Sequence, residues 1–275
     1  MGKIDFYKMS GSGNDFIIVD NRRKLFDEAD LPDFVTRVCR RKMSVGADGF
    51  ILIEPSTAAD FKWRFFNRDG SSGEMCGNGA RCTARFAYLN QIAGASMSFE
   101  TEAGIVQAHV KGERVVVKMP EPRDLQLDYT LRLQNGPWLV NRINTGVPHV
   151  VILTDRLDDV DVVQLGREIR MHEAFAPAGT NVNFISLQNN GEVAIRTYER
   201  GVEDETLACG TGSAASALIA ARKYKAKSPV RVKTRSAEYL TIHFEERQGR
   251  FYDVHLEGDA RIIYAGRLWD DAWKD

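Results

Sequence analysis

The chain repeats one pattern of turns and strands in its two halves. In each half a glycine turn leads into an apolar strand that ends in Asp, a second apolar strand follows, and a third strand leads to a C-G-x-G turn. The matched pairs, in chain order, are GSGNDFIIVD (11–20) with GVPHVVILTD (146–155), GFILI (49–53) with NFISL (183–187), and FFNRDGSSGEMCGNG (65–79) with TYERGVEDETLACGTG (197–212). The paired features keep one order and lie 133 to 135 residues apart. Because this period is too long for a solenoid repeat, we interpret it as an internal duplication that gives two similar domains.

The sequence predicts an α/β fold of the α+β type, in which each domain is a β-sheet wrapped around a central helix that begins at its cysteine turn. Strand composition marks FKWRFFN (61–67), VVVKM (115–119), VAIRTYE (193–199) and YLTIHF (239–244). Helical spacing of apolar residues marks 31–42, 80–92, 160–172 and 213–224. We expect the active site at the interface of the two domains.

The stretch MPEPRDLQLD (119–128) is the most linker-like part of the chain. It places the junction between the domains. The predicted N-terminal domain comprises 1–118 plus a C-terminal strand at about 264–275 and carries Cys76. The predicted C-terminal domain comprises 119–263 and carries Cys209.

Charge and hydropathy narrow the class of partner. The 275 residues carry a formal net charge of −1, which gives no general attraction to nucleic acid or to an anionic membrane. No apolar run approaches the ~20 residues that span a bilayer, and the first residues lack the apolar segment of a secretory signal. We therefore expect a cytoplasmic protein that binds a small molecule rather than nucleic acid or membrane.

The four cysteines fit neither a disulfide scaffold nor a zinc site, because no C-x2-C or H-x3-H pair is present. No metal is expected. Cys39 and Cys82 fall inside predicted helices and are expected to pack in the core. The GSGN turn at 11–14 lacks both the G-x-G-x-x-G and the Walker patterns, so nucleotide binding is not expected there.

A C-G-x-G turn before a helix places the thiols of Cys76 and Cys209 at helix N-termini. The unpaired amides of the first turn favour a thiolate and also form a cradle for a carboxylate. Two such turns provide one acid/base group for each face of a planar carbanion, because one thiolate removes an α-proton while the opposite thiol returns one. This is the requirement of an amino-acid racemase or epimerase.

The α-proton of an amino acid is weakly acidic, and pyridoxal phosphate would supply an electron sink for the carbanion. The sequence offers no convincing Schiff-base lysine. Without a cofactor, the two amide cradles must stabilise the intermediate, and each oxyanion-hole donor contributes about 3 kcal/mol. We therefore expect no pyridoxal phosphate, no metal and no other cofactor.

With these motifs in view, nearly the whole chain resembles the diaminopimelate epimerase family. The motifs that carry the resemblance are KMSGSGNDFIIVD (8–20), CGNGARC (76–82), YERGVEDETLACGTG (198–212) and GDARIIYAG (258–266). The resemblance implies a cofactor-independent homodimer that interconverts LL- and meso-2,6-diaminopimelate on the route to lysine and peptidoglycan precursors.

The resemblance also assigns residues. Cys76 and Cys209 would be the acid/base pair, and His149 and Glu199 would tune the thiols. Substrate-binding positions would be Asn14, Asn67, Gly77, Asn78, Asn181, Glu199, Arg200, Gly210 and Thr211. Two positions depart from the family, because Val147 stands where some members have Asn and Gly49 where some have Gln.

Two other functions stay open at this point. The first is another cofactor-independent racemase, of the proline or hydroxyproline type, although those enzymes carry CGHG where this chain has CGNG. The second is a thiol redox or binding protein in which Cys76 and Cys209 form a reversible disulfide. A redox protein would function without an amino-acid substrate, so stabilisation by diaminopimelate would argue against it.

Overall fold

The computed structural model of the chain describes residues 4–274, so the outermost limits of the predicted N-terminal domain, residues 1–3 and 275, lie outside the described residues. The chain divides into two compact units. Unit 1 comprises the chain up to Val117 together with the segment from Gly258 onward, and unit 2 comprises Lys118–Glu257. The sequence predicted boundaries after residues 118 and 263. The first lies one residue from the observed boundary after Val117, and the second lies a few residues beyond the observed boundary after Glu257.

The structure contains both α-helices and many strands. The helices are α1 (Leu31–Val38), α2 (Gly77–Leu89), α3 (Val162–Arg170) and α4 (Gly210–Tyr224). The strands are β1 (Ile4–Gly11), β2 (Asn14–Asp20), β3 (Gly49–Glu54), β4 (Phe61–Asn67), β5 (Ser72–Gly73), β6 (Ser96–Thr101), β7 (Gly104–Lys111), β8 (Arg114–Lys118), β9 (Arg123–Leu133), β10 (Gly136–Asn144), β11 (Pro148–Leu153), β12 (Asn181–Leu187), β13 (Val193–Glu199), β14 (Asp204–Thr206), β15 (Val230–Lys233), β16 (Tyr239–Arg247), β17 (Arg250–Asp259) and β18 (Arg261–Leu268). Short 3-10 helices occupy Leu157–Asp159, Glu173–Phe175 and Asp270–Ala272.

The sheet of unit 1 alternates antiparallel hairpins with parallel crossovers. β18 pairs with β1 and β1 with β2, both antiparallel, and β2 then pairs with β3 in parallel. β4 pairs antiparallel with β3 and β5 and in parallel with β6. β7 and β8 complete an antiparallel meander. Each parallel pair is joined by a helix, α1 between β2 and β3 and α2 between β4 and β6, as such connections require.

Unit 2 repeats this order strand for strand. β9 pairs with β10 as β18 pairs with β1, β10 with β11 as β1 with β2, and the parallel pair β11 and β12 encloses α3. β13 then pairs with β12, β14 and β15, the last in parallel across α4. β16 and β17 end the meander. The duplication predicted from the sequence is therefore confirmed at the level of strand topology.

In each unit the helix that follows the cysteine turn is the one the sheet encloses. α2 packs against β1, β2, β3 and β7, and α4 against strands β10 to β13 and β15 to β16. Residues Gly212–Ala221 of α4 are buried without a break, as expected for a helix covered on every side. The alanines, glycines and serines of α4 let the sheet approach closely. A second apolar cluster in each unit packs against its amphipathic helix, α1 in unit 1 and α3 in unit 2.

Three predicted elements differ from the structure. The helix predicted over 31–42 ends at Val38, because the chain reverses at Lys42 (φ 70°) and the amide of Gly46 bonds back to the Val38 carbonyl at 2.9 Å. Cys39, just past the end of this helix, is core as expected, and burial raises the pKa of its thiol to about 12. The C-terminal strand spans Arg261–Leu268 rather than about 264–275.

The linker-like stretch 119–128 is also a correction, since from Arg123 it is a strand of unit 2 paired with β10. The pairing shifts register twice along this strand, and Asp124 and Asp128 have positive φ angles of 57° and 54°. Bulges of this kind interrupt the alternation of apolar and polar residues by which a strand is recognised. The prolines and charges of this stretch therefore hid a strand.

Strand pairing also corrects the alignment of the two halves. The seven-residue strands β4 and β13, which lead to the two cysteine turns, match end to end, so Ile51 opposite Phe65 corresponds to Asn183 opposite Thr197. In the same frame Gly49, opposite Phe16, corresponds to Asn181, opposite His149. The structural equivalent of His149 is therefore Phe16, not Asn14, and the equivalent of Asn14 is Val147. A shift of two residues leaves the inward and outward faces of a strand unchanged, so the hydrophobic pattern could not detect it.

Candidate active site

Both cysteine turns place the sulfur itself at the N-cap of a buried helix. Cys76 has extended backbone angles and its Sγ accepts from the Gly79 amide at 3.5 Å. Cys209 does the same with the Gly212 amide at 3.4 Å. The N-cap side chain normally supplies an oxygen to these amides, so a sulfur there receives both the hydrogen bond and the positive end of the helix dipole. Each unit thus presents one thiol whose anionic form is favoured.

In unit 1 the amide side chain of Asn14 lies beside the Cys76 turn. Its Nδ2 donates to Asp48 at 2.9 Å, so its Oδ1 faces the turn. That oxygen lies 3.5 Å from Cys76 Sγ and 3.5 Å from Asn78 Nδ2. Because a carboxylate only accepts, the orientation of the Asn14 amide is fixed by Asp48. The structure therefore brings together Asn14, Cys76 and Asn78, three of the predicted site residues.

A buried arginine supports this turn from within α2. Arg81 is fully buried, and its guanidinium donates to the Gly77 carbonyl at 3.2 Å, to Asn78 Oδ1 at 3.0 Å and to Ser12 Oγ at 3.0 Å. These bonds hold Gly77 and Asn78, two predicted substrate positions, in one arrangement. They also leave a positive charge in the first turns of the helix that begins at Cys76.

Asn67 belongs to a different environment. It is exposed at the end of β4, and its Nδ2 donates to Ser71 Oγ at 3.0 Å across the β4–β5 hairpin. Directly opposite Asn67 in the β3–β4 ladder, Gly49 packs tightly, because a Cβ there would come 2.6 Å from the Phe65 ring. A side chain such as Gln at position 49 would therefore require Phe65 to move, so the packing here suits glycine.

In unit 2 the Cys209 turn is surrounded by donors. Thr211 Oγ1 lies 3.5 Å from Cys209 Sγ, and the Thr211 carbonyl accepts from Thr145 Oγ1 at 2.9 Å. Gly210, the first residue of α4, is buried. Val147, the equivalent of Asn14, has no side-chain amide to place beside Cys209. The two half-sites therefore share their backbone geometry and differ in the side chains around the sulfur.

Asn181 and Arg200 form one connected group. Asn181 is 4% exposed; its Oδ1 accepts from the Arg200 amide at 2.9 Å and its Nδ2 donates to the Pro148 carbonyl at 3.2 Å. The Arg200 guanidinium donates to the Ala178 carbonyl at 3.1 Å. The structure thus places the predicted substrate residues of β12 and the β13–β14 turn next to the strand that carries His149.

Burial shifts the pKa of each of the two predicted tuning residues toward the uncharged form. His149 is 1% exposed, and desolvation, helped by the charge of Arg200, lowers its pKa to about 3. For Glu199, burial raises the carboxyl pKa against the opposing hydrogen bond from Thr206 Oγ1 at 2.8 Å. A carboxyl group in such surroundings can take up or release a proton nearer to neutrality than an exposed one.

Three of the supporting residues were not predicted: Arg81, Asp48 and Asn183. Asn183 lies two residues from Asn181 in β12, which places both side chains on one face of the strand. That spacing, in the letters NVNF, is the signal that could have identified it. Arg81 lies in CGNGARC, where its helical position places it one turn after Gly77.

Comparison with known proteins identifies the family of the chain. The family model described as diaminopimelate epimerase matches residues 6–124 and 142–262. The chain belongs to the diaminopimelate epimerase family. It is similar to the diaminopimelate epimerases of Aquifex aeolicus (44% identity, covering 98% of this chain and 99% of the relative) and Hydrogenobaculum (46%, covering 95% and 97%). The archaeal family member from Archaeoglobus fulgidus is 43% identical, with coverage of 97% and 96%.

Solved structures extend the likeness of the fold beyond this family. A phenazine biosynthesis protein of the PhzF family from Bacillus anthracis aligns with a TM-score of 0.77 at 16% identity, covering 98% of this chain and all of that one. A probable proline racemase from Agrobacterium radiobacter gives 0.72 at 14%, covering 97% and 93%. At such identities the likeness shows only that diaminopimelate epimerases share this duplicated fold with other proteins.

Proposed function

We propose that this chain is an isomerase that interconverts LL- and meso-2,6-diaminopimelate, with Cys76 and Cys209 as its two acid/base groups. The observation that carries the proposal is the duplicated turn, which makes each sulfur the N-cap of a helix. Family membership supports the substrate, because the curated relatives bear the name of this reaction.

In the proposed reaction one cysteine, as thiolate, takes the α-proton of the substrate. The C–H electron pair stays on the α-carbon and its carboxylate, and the other cysteine, as thiol, delivers its proton to the opposite face. Protons balance, since one S–H forms while the other breaks, and no electron leaves the substrate. The amides at the start of α2 and α4 are suited to bind the growing negative charge. The proposal requires neither pyridoxal phosphate nor a metal.

Diaminopimelate carries two amino-acid groups, so its recognition needs partners for two ammonium and two carboxylate groups. Arg200 can bind a carboxylate in bidentate fashion, and Asn67, Asn181 and Asn14 can donate and accept through their amides. Glu199 can meet an ammonium group. A proline-type substrate has a single amino-acid group and would leave part of this set unused. The similarity to a proline racemase extends to the fold alone.

The proposal includes a homodimer that works in the cytoplasm. β18 pairs with β1 and exposes Ile262, Ile263 and Tyr264 by 36%, 55% and 44%. A row of apolar side chains on such a strand favours association with a second copy. Within residues 4–274, no helix is long and apolar enough to cross a membrane.

The test is NMR of LL-diaminopimelate in D2O with reduced protein and no added cofactor. Deuterium entering one α-position together with formation of meso product supports the proposal, provided that Cys76→Ala and Cys209→Ala each abolish product formation. Exchange with proline and none with diaminopimelate would keep the two-thiol chemistry and replace the substrate. Lack of exchange with any amino acid would favour the thiol redox alternative.

A further inference from the structure

The side chains beneath the two cysteine turns differ in kind, although the backbones correspond. In unit 2 the polar residues His149, Asn183 and Thr197 form a connected group, which we call the polar triad. All three are buried, with exposures of 1%, 0% and 3%. Strand pairing aligns them with Phe16, Ile51 and Phe65 of unit 1, which belong to one apolar cluster. The Cys76 turn of unit 1 is therefore backed by apolar side chains, and the Cys209 turn of unit 2 is backed by hydrogen-bonding side chains.

Hydrogen-bond chemistry fixes the orientation of the central amide. Asn183 Nδ2 lies 2.9 Å from the Val150 carbonyl, which can only accept, so this atom is the NH2 group. On the other side Asn183 Oδ1 accepts from Thr197 Oγ1 at 3.0 Å. The Val150 carbonyl therefore excludes the flipped amide, and the Thr197 hydroxyl is free to donate to Oδ1.

The same NH2 group decides where His149 holds its proton. Asn183 Nδ2 lies 3.1 Å from His149 Nδ1. Since the NH2 group donates, Nδ1 must accept and carries no hydrogen. A neutral imidazole keeps its single proton on the other nitrogen, so Nε2 is the N–H donor. The depressed pKa of His149, about 3, agrees with a neutral ring.

The donor on Nε2 is buried and has no hydrogen-bond partner among the described residues. An unpaired buried donor costs about 1–3 kcal/mol, so a role outside the fold itself would explain its retention. The ring lies opposite Asn181, and Arg200 is close enough for its charge to act on it. Both neighbours are proposed substrate residues, which indicates that the free donor is reserved for an acceptor on the bound molecule.

We propose that Asn183 is a positioning residue, which holds His149 as the neutral Nε2–H tautomer so that this nitrogen donates to a carboxylate of the substrate. The inference deepens the proposed function and rests on it for the identity of the acceptor. It gives His149 a binding role in place of the thiol tuning that the resemblance implies, because Nδ1 is occupied by Asn183 and the Nε2–H group cannot accept a proton. It also makes the half-sites chemically unequal, because Phe16 offers no donor at the equivalent place in unit 1.

Asn183 is also held in place by the cysteine turn. A Cβ on Gly212 would come within 2.3 Å of Asn183 Oδ1, and the Gly212 amide is the donor to Cys209 Sγ. The amide that orients His149 thus packs directly against the turn that carries the thiol. Displacement of Asn183 would therefore affect the imidazole and the sulfur together.

The tautomer can be read directly by NMR of protein labelled with 15N-histidine. The chain has five histidines, so His149→Gln assigns the signal. We expect the Nε2–H pattern for His149, unchanged between about pH 8 and about pH 5. A protonated Nδ1 in the wild-type protein would overturn the proposal, and this reading depends on no variant of Asn183.

Asn183→Asp tests the cause. A carboxylate cannot donate to Nδ1, so we expect His149 to become protonated there, as the other neutral tautomer or as imidazolium. Thr197→Val is the matched control, because it removes a hydrogen bond of the same amide and leaves the donor to His149 in place. We expect Thr197→Val to lower stability while the His149 signals keep the wild-type pattern. Unchanged signals in folded Asn183→Asp would contradict the positioning role.

Substrate provides the last arm. We expect diaminopimelate to shift the Nε2–H signal of the wild-type protein, and Asn183→Asp to lower kcat by about 10- to 100-fold, the usual range for residues that orient a site group. If the tautomer is as stated and diaminopimelate is neither bound nor exchanged, the proposed function fails and the positioning of His149 by Asn183 stands. If diaminopimelate turns over while the Nε2–H signal does not respond to it, the function stands and the acceptor assignment fails.

Discussion

Asn14 Oδ1 lies 3.5 Å from Cys76 Sγ, and the bond from Asn14 Nδ2 to Asp48 keeps the oxygen turned toward the sulfur. A carbonyl oxygen accepts from an S–H group and offers nothing to a thiolate. Each sulfur also accepts from a glycine amide, Gly79 at Cys76 and Gly212 at Cys209, but the side-chain group beside Cys209 is the Thr211 hydroxyl, which can donate to a thiolate. The two thiols therefore have different side-chain neighbours although their helices are equivalent.

Asn14→Asp should slow the reaction by charging this contact. At an effective dielectric constant of about 20, two like charges about 4 Å apart repel by about 4 kcal/mol, so a carboxylate at position 14 opposes thiolate formation at Cys76 and also repels Asp48. We expect a loss of kcat of at least about 10-fold, measured as α-deuterium exchange. The matched variant Val147→Asp adds a charge at the equivalent position of unit 2. A wild-type rate for folded Asn14→Asp would remove Asn14 from the site.

The glycines that donate to the two sulfurs should respond differently to alanine. In Gly212→Ala the new Cβ meets Asn183 Oδ1 at 2.3 Å, whereas in Gly79→Ala the nearest atom, Ile51 Cδ1, is 3.3 Å away. Alanine in a helix gains about 1 kcal/mol over glycine, and overpacking costs about 1–3 kcal/mol. Urea unfolding should show Gly79→Ala close to wild type and Gly212→Ala less stable by about 2 kcal/mol. Equal losses would mean that Asn183 yields as readily as Ile51.

The cysteine turns could be predicted because their signal is local: glycines, a thiol and a helix-forming run lie within ten residues. Their supports could not. The polar triad joins three strands, and only the pairing of β11, β12 and β13 shows that His149, Asn183 and Thr197 meet. The alignment of the two halves was wrong by two residues for a related reason, since a strand moved by two residues keeps its buried face.

The strand Arg123–Leu133 was missed because its irregular pairing with β10 removes the alternation that identifies strands. Helix α1 ended early for a reason equally distant from local pattern. Its apolar spacing continues past Val38, and the return of Gly46 to that residue ends the helix. In both places long-range hydrogen bonds determine the conformation, and the local sequence pattern does not distinguish it from the alternative.

Glu199→Gln should stabilise the fold and impair activity at the same time. Burial raises the pKa of Glu199, so its folded form binds a proton more tightly than its unfolded form. The resulting stability is fully present below the unfolded pKa and is lost as pH rises through the folded pKa. Glutamine stays neutral at every pH. The Tm advantage of the variant over the wild type should therefore be larger near pH 8 than near pH 4. Each kcal/mol of free energy of unfolding corresponds to about 2–4 °C in Tm. The exchange rate should fall, because the amide cannot transfer a proton.

The Thr206→Val variant is the control for Glu199. It removes the hydrogen bond to Glu199 Oε2 and keeps the titrating carboxyl, so the dependence of Tm on pH should persist or grow. A Glu199→Gln protein whose Tm follows the wild-type pH profile would show that this carboxyl is not the group responsible.

His149 should make the fold sensitive to acid. Its pKa falls from 6.5 to about 3, so below pH 6.5 the unfolded chain binds a proton that the folded chain excludes. Stability is complete above the unfolded pKa and is lost as pH falls toward about 3. At about pH 5 this amounts to about 2 kcal/mol, at about 1.4 kcal/mol for each pH unit. Urea unfolding at about pH 7.5 and about pH 5 should show this loss in the wild type and a smaller one in His149→Gln, whose side-chain oxygen can still accept from Asn183. Thr197→Val, which removes a hydrogen bond of Asn183 and keeps the imidazole of His149, should keep the wild-type slope, and an equal slope in all three proteins would contradict a neutral, buried His149.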